Sequence, residues 1–158
     1  MASEATVTQE VVDFIVQTRY EDLPEEVLRL SKQCITDGVA VMLAGTQEES
    51  FRVLHEYLTQ VGGAGEATVL GDGMRVPAHL AALANGLSGH AMDYDDTQLS
   101  PAPDRVYGLL THPTTPVLGA TLPLAESLGA SGKDLILAFA IGFEAECKIA
   151  AAIKPSHY

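Results

Sequence analysis

Apolar residues recur along this chain every three or four positions in long runs, the period of helices that bury one face. Val11, Phe14, Ile15 and Thr18 share one face of a first helix, over about Val7 to Arg19. Thr6 followed by Gln9 has the spacing of a capping box at its start. Pro24 opens a second helix that carries Val27, Leu30, Cys34, Ile35, Val39 and Met42 on one stripe and stops at Gly45. A third starts near Ser50 and shows Phe51, Leu54, Tyr57, Leu58 and Val61, with His55 off the stripe and therefore expected in solvent. Gly62 to Gly65 breaks it, without the following lysine a phosphate loop needs.

The pattern then changes. Ala67–Leu70 and Met74–Val76 flank Gly71-Asp72-Gly73 and read as a small β-hairpin that must lean on the helices, since two short strands alone are marginal. Helix four opens at Pro77, with Leu80, Leu83, Ala84 and Leu87 on one face; His90 continues that face and is expected to point inward. Helix five is expected from Pro116 with Thr115 as its cap. Ser131 and Asp134 box the start of helix six, Gly132 to about Ile153. That helix is apolar enough to predict burial on several sides, with Glu144 and Glu146 as its exposed or interface residues. The fold class is all-α: one domain over 1–158, a bundle of about six helices with one small β-hairpin.

Composition narrows what this bundle does. At 158 residues it can bury a real core. No apolar run is long enough for a bilayer and no leader-like pattern opens the chain. Cys34 and Cys147 lie far apart in helical segments and are expected as reduced thiols, which favours a cytoplasmic location. The net charge of −12 argues against nucleic acid or an anionic membrane as partner. It would also repel an anionic substrate unless cations were placed locally, and the chain has only nine lysines and arginines.

Candidate chemistry concentrates between Asn85 and Pro116. His90, Asp93, Asp95, Asp96 and Thr97 follow one another closely, and Thr111-His112-Pro113 comes just before helix five. Three neighbouring carboxyls repel one another unless something relieves them, so a metal, a proton-transfer site and a solvated acidic turn compete. A calcium loop counted from Asp93 has Gln98 where glycine is needed and is interrupted by Pro101 and Pro103. Zinc on His90, Asp93 and His112 fits no common ligand spacing. The expectation is therefore no metal. Proton transfer fits better: His112 precedes a helix N-terminus whose free N–H groups suit a substrate carboxylate, an aspartate can orient its imidazole or act as a second base, and Thr97 can hydrogen-bond the substrate.

At these residues the chain resembles the MmgE/PrpD family of 2-methylcitrate dehydratases, cis-aconitate decarboxylases and iminodisuccinate epimerases. The resemblance is carried by Asn85-Gly86, His90, Met92-Asp93-Tyr94-Asp95-Asp96-Thr97, Thr111-His112-Pro113-Thr114, Gly132-Lys133-Asp134-Leu135 and Gly142-Phe143-Glu144. It implies the all-helical first part of a longer two-domain enzyme, usually a homodimer. Such an enzyme does cofactor-free chemistry next to the carboxylates of small di- and tricarboxylic acids. Carried over by motif, Asp93, Thr97 and His112 are catalytic, with His90, Asp95 and Asp96 supporting. The segment from Gln98 to Leu110 is longer than in dehydratases and decarboxylases and closer to epimerase-type members, with Arg105 the one nearby cation to meet a substrate carboxylate. Family histidine and lysine residues beyond this sequence would complete the site. A non-catalytic helical module that only dimerises or binds a partner is the competing reading.

Overall fold

The computed structural model describes residues 6–99 and 109–152. Six helices dominate: α1 (Val7–Gln17), α2 (Glu25–Gly45), α3 (Glu49–Val61), α4 (Ala78–His90), α5 (Thr114–Leu128) and α6 (Gly132–Ala152), with a 3-10 turn at Tyr20–Asp22. Thr6 caps α1 by accepting from the Gln9 N–H at 3.2 Å, and Ser131 and Asp134 bond each other reciprocally at the head of α6. Strands β1 (Ala67–Thr68) and β2 (Arg75–Val76) form the expected antiparallel hairpin. A second antiparallel pair, β3 (Gln98–Leu99) and β4 (Leu109–Thr111), was not foreseen. These strands are too short to leave a period in the sequence.

α4 is the central element, packed against α2, α3 and α5. Small residues let the backbones meet: a Cβ on Gly45 would stand 1.8 Å from the Ser88 carbonyl oxygen, so α2 and α4 touch there as only glycine permits. One core, with Phe51, Leu58, Val69, Val76 and Ala84, joins α3 and α4 to the hairpin. The other joins α2, α5 and α6 through Met42, Val117, Leu118 and Phe139. Asn85 ties α4 to the hairpin. Wholly buried on α4, it accepts from the Leu70 N–H at 2.9 Å and donates to the Thr68 carbonyl at 3.0 Å.

Several expectations are corrected. His55 is not simply solvated: its ring packs against Phe51, and Nε2 lies 2.6 Å from Asp72, tying α3 to the hairpin turn. α6 is not buried on several sides, because the described elements cover it only partly and bury Phe139 and Ala150 alone among its residues. Its uncovered side joins α1, the 3-10 turn and α2 around an apolar groove of about 820 Å³ lined by residues such as Phe14, Val27, Leu30 and Phe143. Both cysteines are free, and burial pushes the Cys147 thiol up to about 11. Among the described residues, no helix is long and apolar enough to cross a membrane.

Candidate active site

The site hangs from the C-terminal end of α4. After His90 the chain reverses at Asp93, whose N–H donates to the His90 carbonyl at 3.0 Å and whose φ of 56° is left-handed. Asp enters that region more readily than most residues, at a cost of order 1 kcal/mol. The reversal leaves the Asp93 side chain 76% exposed and carries Asp95 inward until its side chain is 1% exposed. One carboxyl faces solvent and one lies beneath it.

His112 lies between them. Its ring is 15% exposed, with Nε2 3.7 Å from Asp93 Oδ1 and Nδ1 3.4 Å from Asp95 Oδ1. Neither approach is a hydrogen bond, and buried Nδ1 has no partner among the described residues. Catalytic contacts are often this long before substrate binds and tighten afterwards. His90 Nδ1–H donates to both Asp95 oxygens, at 3.0 and 3.2 Å, and its ring meets that of His112 edge-on with centroids 4.8 Å apart. The expectation that His90 points inward is corrected. Its side chain is 56% exposed: in the last turn of α4 the face packed against α2 and α5 carries Ser88 and Gly89, and His90 lies off that face.

Asp96 does something different. Its Oδ1 accepts from the Thr114 N–H at 3.0 Å and its Oδ2 from the Thr114 hydroxyl at 2.7 Å. It thereby caps α5, which starts at Thr114 rather than Pro116. The expected cap, Thr115, is instead buried with an unpartnered hydroxyl. A carboxyl from another segment displaced the local candidate, and it takes the first helix N–H that the sequence offered to a substrate. Thr97 is exposed between Asp96 and β3 and makes no hydrogen bond among the described residues. Arg105 lies outside the described residues.

One donor atom from each of His90, Asp93, Asp95 and His112 lies within 4.8 Å of the others, so the group could hold a metal ion. An ion would take one ring nitrogen of His112, however, and that ring turns different nitrogens toward Asp93 and Asp95. The arrangement suits an imidazole held between two acids better than a shared ion. Among the described residues, no lysine or arginine pairs with these carboxyls.

The motif reading missed Glu146. Expected at the surface or an interface, it is half-buried and bonded by the Thr111 hydroxyl, while Glu144 is exposed. Burial pushes its carboxyl above the ordinary range; the Thr111 bond offsets part of that, and the charge of Asp96 adds to it. A signal was present: Phe139, Phe143, Glu146 and Ala150 recur at helical spacing, so Glu146 falls on the buried face of α6.

The described fold is a helical domain with a cluster of two imidazoles and two carboxyls at the end of α4. The sequence model of the MmgE/PrpD N-terminal domain matches residues 9–158, and the chain belongs to that family. It is 33% identical over 149 residues to cis-aconitate decarboxylase of Mus musculus, covering 91% of this chain and 29% of the relative. The Homo sapiens cis-aconitate decarboxylase is 32% identical with the same coverage, and the one from Aspergillus terreus 28% identical over 156 residues, 96% of this chain and 30% of its own length. The chain thus spans less than a third of these relatives.

Proposed function

We propose that this chain carries the acid–base part of a cofactor-independent lyase or isomerase site for small di- or tricarboxylates, as the N-terminal part of a cytoplasmic, homodimeric enzyme. Decarboxylation of an unsaturated tricarboxylate is the leading reaction, because the relatives are cis-aconitate decarboxylases; dehydration and epimerisation share the same carboxylate chemistry. The observation that carries the reading is His112 poised between exposed Asp93 and buried Asp95. In decarboxylation the bond to the departing carboxylate breaks, its electron pair spreads into the conjugated system, and the carbon then takes a proton from His112. Exposed Asp93 relays a replacement proton from water to the ring, Asp95 fixes the ring's orientation, and Thr97 bonds the substrate. For dehydration or epimerisation the same pair first removes a proton next to a carboxylate.

The test is product formation in D2O from cis-aconitate, 2-methylcitrate and iminodisuccinate, followed by NMR. Deuterium in the product and loss of turnover in both Asp93→Asn and His112→Asn are expected. Turnover that survives both substitutions would rule the reading out. The apolar groove beside α6 favours a second reading, a non-catalytic module that dimerises or binds a partner. It predicts self-association and no rise in melting temperature with a tricarboxylate, whereas a saturable rise supports the enzyme.

A further inference from the structure

The ribbon formed by β3 and β4 carries two of the three expected catalytic residues at its exits: Thr97 stands one position before Gln98, and His112 one position after Thr111. Gln98 and Thr111 are register partners, so a single cross-strand pair lies directly behind both. α6 grips each member of that pair. The Thr111 hydroxyl bonds the Glu146 carboxyl, and Gln98 Nε2 donates to the carbonyl of the next residue, Cys147, at 3.1 Å.

A two-stranded ribbon is marginal by itself, and this one has a register irregularity between Gln98 and Leu99. Its placement must come from outside. We propose that Glu146 is a positioning residue for the site: by holding Thr111 while the Cys147 carbonyl holds Gln98, it clamps both strands to α6 and fixes where Thr97 and His112 stand. The inference rests on the acid–base reading above. Glu146 is an expensive choice for a half-buried position, since an apolar side chain would pack there without desolvating a carboxyl. Among the described residues no lysine or arginine pairs with it. What the carboxyl offers that an apolar group cannot is the bond to Thr111.

The experiment uses Glu146→Ala, Glu146→Gln and Thr111→Val, each read by turnover and by the ring nitrogen resonances of His112, which report which nitrogen holds the proton. A misplacement of 1 Å costs up to about 100-fold in rate. Glu146→Ala is accordingly expected to lower kcat by about 10- to 100-fold with KM changed by less than about three-fold, and to shift the His112 resonances. Thr111→Val, which cuts the same bond from the ribbon, should reproduce both effects. Glu146→Gln keeps the shape and the hydrogen bond and should stay within about two-fold of the parent. Unmoved resonances and kcat in a folded Glu146→Ala protein would overturn the clamp. So would a drop in melting temperature with the His112 signals unchanged, which is a purely structural role. If the parent turns over nothing but its His112 signals respond to Glu146→Ala and not to Glu146→Gln, the clamp stands and only the lyase reading falls.

Discussion

The β1–β2 hairpin precedes α4 and the β3–β4 ribbon follows it, and the two are built on opposite terms. At the hairpin the polar groups are matched. Glu126 accepts from the Thr68 N–H at 2.8 Å and its hydroxyl at 2.6 Å, and from Arg75 at 2.5 Å, while Asn85 takes the next backbone pair. At the ribbon end three carboxyls crowd together without a described cation. The three buried side-chain atoms that lack partners among the described residues, on Gln98, His112 and Thr115, all belong to this end. Buried polar groups in folded proteins are overwhelmingly paired. The cost of the unpaired groups therefore falls at the ribbon end, while the hairpin end contributes paired ones.

The contrast is broken most forcefully at His112. Its replacement by alanine is expected to cut turnover by about 100- to 10,000-fold, the usual worth of a general acid or base. Unfolding by urea should show a stability change within about 1 kcal/mol, because Nδ1 gives up no hydrogen bond. A large loss of stability instead would make the ring a structural element. Asn85→Ala tests the other end. It strands the Leu70 N–H and the Thr68 carbonyl in the interior, which should cost about 2–4 kcal/mol in the same denaturation measurement. The turnover of the fraction that remains folded should be close to that of the parent.

How much of this was legible follows the same division. Helix periods, the Thr6 and Ser131 caps, the hairpin and the grouping of His90, Asp93 and Asp95 could be read because each depends on residues near one another in sequence, whereas His112 is joined to them by the motif and not by proximity. The bonds that decide the site depend on residues far apart. Asp96 caps α5 from 18 positions away and so overrides Thr115, and Thr111 reaches Glu146 across 35. His90 continues an apolar stripe, but periodicity cannot say that the packed face of the last turn is the one that carries Ser88 and Gly89. The burial expected of α6 failed for the same reason: an apolar face shows the need for a partner without supplying one. Glu146 could have been caught by following the Phe139–Phe143 stripe one step further.

Acid separates the two ends with opposite signs. Hydrogen bonds from Thr68, and then Arg75, hold the Glu126 carboxyl below its ordinary 4.5. Its contribution is therefore complete above that value and lost as pH falls through the depressed folded value. Glu146 lies above its ordinary 4.5, chiefly through burial. Stability falls as pH climbs from 4.5 through that raised value, because the unfolded chain releases the proton first. In thermal melts across pH, Glu126→Gln should flatten the acid limb, whereas Glu146→Gln should remove the decline above 4.5 and leave the acid limb alone. Identical profiles for the two variants would erase the distinction.

The smallest expected effect is the sharpest about purpose. Thr115 is 3% exposed, its hydroxyl has no partner among the described residues, and its methyl carbon is what a Cβ on Gly89 would strike at 2.7 Å. The side chain thus packs against α4 through the methyl and gains nothing visible from the oxygen. Thr115→Val keeps the shape and removes the orphaned group. Replacing an unpaired buried hydroxyl by a methyl is favourable, so chemical denaturation should show a gain of about 0.5–1.5 kcal/mol. Such a gain, accompanied by a rise in KM, would mean that the hydroxyl is reserved for a ligand near the head of α5. The same gain with unchanged kinetics would make Thr115 a packing residue and confine the ligand's contacts to the His112 side. A loss of stability would mean that the oxygen is paired in solution, and the difference between the two ends of the molecule would then be narrower than the three unpartnered atoms imply.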